Sequence, residues 1–460
     1  MRLQGSMRIS ENGRLEIGGC DTIDLARTFG TPLQIIDEQL LRRNCQEYRT
    51  SFGAGGHADR VIYASKALLN KAICRIIQEE GLGLDVVSGG ELFIALQAGF
   101  PPDRIYLHSN NKSPEELEYA LESGVGRVVV DNYFELETLD RVAGSRDCVA
   151  AILLRIAPGI EAHTHEYIST GQIDSKFGFT LANGDAARAV RAALDARHLD
   201  MRGLHCHIGS QIFQLDAFRH TAAVMVDFLQ SLRSTLGWTA AELDLGGGLG
   251  VYYSAGDEPP AIANYAAAVR GSVEESCRRH DYPRPGIVVE PGRSVISPAG
   301  TTLYTIGAIK DIPGIRKYVA VDGGMNDNPR PALYQAKYEG LLANKASLPP
   351  QEVVAVTGRC CETGDMLIWD LQVPPVESGD LLAISCTGAY TYSMSSNYNG
   401  LPKLAMVLVE NGRADLIVSR ETPADLVRQH LVPERFKRSE AKFEKPCAGE
   451  LYSTFFQAGR

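Results

Sequence analysis

The sequence predicts an α/β fold followed by a β fold: a (β/α)8 TIM-type barrel with an all-β C-terminal domain. Three observations predict it. Eight short β-rich runs recur, each followed by a helical stretch. Polar residues or glycines gather at the C-terminal ends of those runs. Beyond about residue 300, long helical patterns give way to strands joined by Gly, Pro and Asp turns.

The eight runs are Val61-Ile-Tyr-Ala-Ser-Lys66, Leu82–Ser88, Arg104–His108, Arg127–Asp131, Ala150–Arg155, Leu204–Ile208, Glu242–Gly246 and Gly286–Glu290. Strands alternating with helices imply parallel βαβ units, and eight in about 230 residues match a closed barrel. The intervening helices carry their own signals. Ser113-Pro-Glu-Glu supplies an N-cap, Pro at the first helical position and acids in the first turn. The strand ends carry Lys66, Ser88, His108, Asp131, Arg155, His207, Gly246-Gly-Gly248 and Glu290, at the barrel face where active sites form. The later strands are Thr301–Ile306, Tyr318–Val321, Glu352–Thr357, Leu381–Ser385 and Ala405–Val409. The early runs Gly13–Ile17 and Leu33–Ile36 also read as strands and are expected to join them. The expected boundaries are 36–300 for the barrel, and 1–35 with 301–460 for the β domain. A chain of 460 residues is long enough for two such domains.

Composition excludes several classes of function. Apolar residues make up 44% and charged residues 22%, as in a globular protein, and no window nears a membrane span. The net charge of −10, with scattered Lys and Arg, argues against nucleic acid or an anionic membrane as partner. The start, Met1–Met7, has no apolar export signal, and Met7 reads as an alternative start. Ten cysteines, single apart from Cys360-Cys361 and without Cys-x-x-Cys, fit reduced thiols in a cytoplasm.

Several residues carry chemistry, each beside a plainer reading. Lys66 ends an apolar strand, as a Schiff-base lysine desolvated into a nucleophile would; a solvated strand-end lysine reads the same way. Gly246-Gly-Gly-Leu-Gly250 can cradle a phosphate with backbone N–H groups, or simply turn. Its spacing is not that of a dinucleotide fingerprint. Glu290-Pro-Gly-Arg293 places an acid and an arginine on one turn. The acid can keep a pyridine nitrogen protonated and the arginine can pair with a phosphate or carboxylate, or the two can pair with each other. His205 and His207 share a strand face, but no third ligand stands at a suitable spacing, so no metal centre is expected. His207 can instead stack on an aromatic cofactor, with Ser210 as a phosphate donor. Cys360-Cys361-Glu362 offers a thiol beside an acid, or two small buried hydrophobes. Gly388–Asn399 is dense in polar and aromatic groups and reads as a binding loop; Arg330-Pro-Ala-Leu-Tyr334 offers a further arginine.

Taken together and in this order, these segments are similar to the fold-type III pyridoxal-phosphate decarboxylases, most closely the branch acting on diaminopimelate. The matching motifs are Tyr63-Ala-Ser-Lys66-Ala, Gly83–Leu92, His205–Gln211, Gly246-Gly-Gly248, Glu290–Arg293, Asp322–Met325, Arg330–Tyr334, Cys361-Glu362 and Gly388-Ala-Tyr390. The likeness runs from about Ile62 to about Leu426. The resemblance implies an alanine-racemase-like architecture with a Greek-key-like β domain. It implies pyridoxal 5'-phosphate on Lys66, with His207 stacked on its ring. Ser210, Gly246, Gly247, Gly248, Pro291, Gly292 and Arg293 would lie around the cofactor, Glu290 at the pyridine nitrogen and Tyr390 against it. Arg293, Arg330, Tyr334, Glu362 and Tyr390 would bind substrate. Cys361, or the freed Lys66, would return the proton after CO2 leaves. In that family Cys361 and Glu362 come from the second protomer, so a homodimer is implied. The implied reaction converts meso-2,6-diaminopimelate to L-lysine and CO2, the last step of lysine biosynthesis. Lys403 stands where many members have arginine. Decarboxylases of ornithine, arginine or carboxynorspermidine, a racemase, an aldolase and a non-catalytic homologue are the competing readings. Arg330 with Tyr334 and Glu362 suits a distal amino-carboxylate better than a distal cation.

Overall fold

The structure is a computed structural model and describes residues 1–53, 58–160 and 175–437. The chain forms two compact units. One comprises Leu40–Ala299 with Gly388–Ser393; the other comprises Met1–Gln39, Gly300–Thr387 and the chain from Met394 onward.

The first unit is a closed parallel barrel. Its strands are β1 Arg60–Ala64, β2 Gly83–Val86, β3 Ile105–Leu107, β4 Arg127–Val130, β5 Ala150–Ala157, β6 Leu199–Cys206, β7 Glu242–Asp244 and β8 Gly286–Val289. Each pairs with the next in parallel, and β8 closes on β1 through Val288↔Arg60 and Val289↔Val61. All eight expected strands are present, most ending one or two residues earlier than their apolar runs suggest.

Strand alternation decides what the barrel holds. Ile62, Tyr106, Val129, Leu153 and Val288, from five different strands, form one buried cluster, so these positions point inward. Side chains two residues further along point the same way. Those positions are Ala64, His108, Asp131, Arg155 and Glu290, and Lys66 lies two beyond Ala64. An apolar layer is thus topped by an ionisable one.

At the opposite end Glu242 is buried and accepts from both Arg127 Nε (3.1 Å) and Arg127 Nη2 (2.5 Å), and from the Tyr106 hydroxyl (3.2 Å). Burial opposes its charge, but these partners and Arg60 outweigh it and hold the carboxyl below its usual range. The outer helices follow their signals. Helix Pro114–Ser123 has the expected cap at Ser113, closed reciprocally by Glu116. Helix Leu215–Leu236 buries Phe218, Ala222, Met225, Val226, Leu229 and Leu232 at helical spacing and stops at Gly237.

The second unit is β-rich. Its spine is the 13-residue strand Gly300–Ile312, which pairs with Leu33–Asp37, Leu381–Ser385 and Arg316–Val321, all antiparallel. Leu33–Asp37 carries Ala405–Glu410 in parallel on its other edge. Leu15, Ile17, Leu33, Ile35, Leu303 and Val407 share one core, so the early strands do join the later ones. The unit also carries a two-turn helix, Thr22–Phe29, capped by Asp21, which the strand reading passes over. No helix among the described residues is long and apolar enough to cross a membrane.

One buried pair ties β3 to β4. Lys112 Nζ donates to the carbonyls of Ser109 (2.9 Å) and Val129 (2.7 Å) and to Glu135 Oε1 (2.6 Å). Burial works against both charges, drawing Lys112 down and Glu135 up, and their contact offsets part of it. Glu135→Leu would strand the ammonium, so urea unfolding should show a loss of about 3–5 kcal/mol. Adding Lys112→Met should recover part of it.

Candidate active site

Lys66 sits one turn beyond β1, in the short 3-10 segment Ser65–Ala67. The residue keeps solvent-accessible surface, yet protein atoms crowd its amine on every side. It therefore lies in a concavity, and its charge responds to the barrel more than to bulk water. Burial pulls its pKa down, but Asp85, Tyr390 and Glu290 push it up by more, so the net direction is upward. The sequence expectation of an amine desolvated enough to be nucleophilic meets an opposing effect: in the protein by itself, the surrounding groups favour the charged form of Lys66.

Glu290, two residues past the apolar Val288 layer, is the most heavily partnered of these acids. His108 Nε2 lies 2.8 Å from Oε1, and His205 Nε2 lies 3.3 Å from Oε2. Burial would raise the Glu290 pKa; His108 and His205 outweigh it and hold the carboxyl well below the usual range. His205 itself is pulled down to about 4, chiefly by burial. Asp85 approaches His108 Nε2 at 3.8 Å and, buried, has its pKa raised. Asp244 is also buried. Burial and the nearby Glu290 charge push it well above the carboxylate range, while its Oδ1 accepts from Gly246 N at 2.9 Å. The sequence offers His205 no third neighbour. The fold brings three from other strands, so that polar atoms of His108, His205, Asp244 and Glu290 all lie within 4.8 Å of one another.

Beside this layer the backbone opens into a cradle. Gly247 N donates to His207 Nδ1 (3.2 Å), which fixes the ring against the glycine loop. A side chain at Gly247 would collide with the Glu290 carbonyl. Gly248 has φ 123° and a Cβ there would meet the Gly209 carbonyl at 2.6 Å, so neither position tolerates a side chain. Gly246 O accepts from Glu290 N (2.9 Å), and Pro291 O accepts from Ala64 N (3.2 Å). Gly292 packs on Ala64 and Ala67, where a Cβ would come within 3.1 Å of the Ala67 Cβ. Arg293 donates to Ser210 Oγ from Nε (3.2 Å) and Nη2 (2.9 Å), and to the Tyr253 hydroxyl (2.7 Å). Its guanidinium also lies 4.8 Å from the centre of the Tyr390 ring. Tyr390 takes a left-handed backbone, φ 59°, and its N–H donates to Ala67 O at 2.9 Å. Ser88 has a different use: it caps helix Gly89–Gln97.

The other candidates lie in the β-rich unit. Arg330 is buried and donates to the Tyr338 hydroxyl at 2.7 Å. Tyr334 is half-buried at the end of the same short helix. The two cysteines part company. Cys360 is buried, its Sγ 3.6 Å from Asn326 Oδ1, and burial with the Asp365 charge pushes the thiol up to about 11. Cys361 and Glu362 are exposed. Asp365 anchors their loop, accepting from Cys360 N (2.7 Å) and Met325 N (2.7 Å), while Asn399 Oδ1 accepts from Cys361 N (2.7 Å).

Sequence reading left Asp85, Asp244, Tyr253, Tyr338 and Asp365 without roles. Alternation could have found Asp85 and Asp244, since each sits on its strand in phase with the inward layer. Nothing in the chain marks Tyr253 or Tyr338.

The residues present fit pyridoxal phosphate. A reachable lysine, a backbone cradle closed to any Cβ, an arginine–serine pair beside it and a buried acid held charged match an aldehyde, a phosphate and a pyridinium. Residues 38–297 match the family model described as "Pyridoxal-dependent decarboxylase, pyridoxal binding domain". Diaminopimelate decarboxylase of Bacillus subtilis (strain 168) is 49% identical over 431 residues, covering 94% of this chain and 98% of the relative. That of Mycobacterium tuberculosis (strain H37Rv) is 45% identical, covering 91% and 95%. The crystal structure of the M. jannaschii diaminopimelate decarboxylase in complex with L-lysine superposes with TM-score 0.88 at 35% identity, covering 94% and 99%. The Helicobacter pylori enzyme with L-lysine gives 0.80 at 32%, covering 89% and 98%. With this identity over nearly its whole length, the chain belongs to the diaminopimelate decarboxylase family of pyridoxal-phosphate enzymes.

Proposed function

We propose that this enzyme decarboxylates meso-2,6-diaminopimelate to L-lysine in the last step of lysine biosynthesis, as a cytoplasmic homodimer. The observation that carries the reaction type is the buried Glu290 carboxylate, held charged by His108 and His205. The relatives' names, and the lysine bound to two of the solved structures, support the substrate.

Pyridoxal phosphate supplies an electron sink for the pair left on carbon when CO2 departs. Lys66 Nζ would hold the cofactor's aldehyde carbon. Glu290 would keep its ring nitrogen protonated, and His207 would cover the ring. Ser210, the Gly246–Gly248 backbone, Pro291, Gly292 and Arg293 form the phosphate end, with Tyr390 stacked on Arg293. Arg330, Tyr334 and, from the partner protomer, Glu362 would receive the distal amino-carboxylate, which lets the site tell diaminopimelate from a diamine precursor. Cys361 Sγ, also from the partner protomer, would deliver the proton to the vacated carbon. That role requires a reduced thiol, and the nine described cysteines are all free.

Protein saturated with pyridoxal phosphate is expected to be yellow and to release CO2 and lysine from meso-diaminopimelate. Turnover of ornithine or arginine in place of diaminopimelate would overturn the substrate assignment. Cys361→Ala should lower kcat by about 10²–10⁴-fold, as loss of a general acid does. Cys360→Ala should lower the melting temperature and leave kcat nearly unchanged. Equal losses of kcat in the two variants would overturn the donor assignment.

A further inference from the structure

The proposed reaction asks one thing of Glu290, that it stay charged, yet the barrel surrounds it with more ionisable groups than that reading uses. Lys66 follows β1, Asp85 lies on β2, His108 follows β3, Arg155 is on β5, His205 on β6 with His207 just beyond, and Asp244 on β7. Cys206 and Tyr265, also packed nearby, have raised pKa values and stay neutral. Glu290 and Asp244 are both fully enclosed carboxyls, and two like charges this close in a low dielectric cannot both ionise without large cost. One proton must therefore be shared between them.

Geometry decides where it goes. Each Glu290 oxygen faces one histidine, at 2.8 and 3.3 Å, and the two rings meet edge to face with centroids 4.9 Å apart. Asp244 Oδ1 accepts from the amide of Gly246, and its carboxyl lies beside that of Glu290, within reach of a proton held between the two. Resting on the cofactor reading above, we infer that His108 is a positioning residue that places the shared proton on Asp244 and leaves Glu290 as the carboxylate under the cofactor ring. The directions of the two acids agree: Asp244 is pushed up and Glu290 is held down. The arrangement makes Asp244 a neutral proton store, and it explains why a second acid can sit beside a carboxylate that has to remain ionised.

The sign of the pH effect follows. A carboxyl with a depressed pKa loses its charge only as pH falls through that value. Removing the His108 ring nitrogen, 2.8 Å from Oε1, raises the Glu290 pKa, so its charge is lost at higher pH. In His108→Leu, the pH-dependent transition of the cofactor's visible band should move upward by about one unit or more. The kcat should fall by about 10–100-fold while KM changes little, because the loss is felt when charge develops. His108→Gln keeps an N–H donor and should restore most of both. The band titration needs cofactor but no substrate, so it stays readable even if the substrate assignment fails. A wild-type titration and kcat in His108→Leu, or equal damage in His108→Gln, would overturn the inference. A reading independent of cofactor is the infrared stretch of protonated carboxyls in the cofactor-free protein. A component of it should vanish in Asp244→Asn, and its survival there would equally overturn the inference. If His108→Leu does not fold, the Asp244→Asn spectrum decides alone.

Discussion

A carboxylate has to remain charged inside a closed barrel, and much of the surrounding structure answers that constraint. Moving such an ion out of water costs several kcal/mol unless partners replace its hydration. Glu290 obtains them from two histidines on strands that lie apart in the sequence. Those histidines can reach it because β3, β6 and β8 enter the barrel in one phase, so that His108, His205 and Glu290 project into the same layer. A shift of one residue in any of these strands would turn the side chain outward and leave the acid unpaired. Strand register is therefore fixed as much by the charged layer as by the apolar layer beneath it.

The β-rich unit solves a related problem with the opposite geometry. It presents Cys361 and Glu362 at its surface on a defined backbone and does not bury them. Asp365 does this by taking the amides of Met325 and Cys360, so that two loops far apart in sequence share one carboxylate. Cys360 then becomes part of the support, bonded to Asn326, and its neighbour is turned outward. The adjacent thiols differ because one faces the carboxylate that organises the loop and the other faces away from it.

The barrel was legible because its signals are local. Apolar runs of four to six residues, caps such as Ser113 and glycines after strands each act within a few positions. The cradle of Gly246–Gly248, Ser210 and Arg293 was legible too, since each piece ends a recognisable strand. What stayed hidden were pairings across the barrel. Asp244 looks like an ordinary strand acid until β8 brings Glu290 beside it. Tyr338 means little until the short helix Arg330–Tyr334 turns Arg330 back onto its hydroxyl. Such residues do their work through partners more than one strand or helix away, and periodicity carries no information about those.

Lys66 shows how far the layer acts as one object. Read alone, it is a lysine whose burial should free its amine. In place, Asp85, Tyr390 and Glu290 reverse that effect. Glu290, the acid that would hold the cofactor's ring charged, therefore also helps to hold the lysine charged before the cofactor arrives. The layer keeps a balance of charge, with Lys66 and Arg155 set against Asp85 and Glu290, and Asp244 is kept out of it by its proton. A cofactor that binds here has to enter that balance without upsetting it, so the amine, the ring partner and the proton store cannot be tuned one at a time.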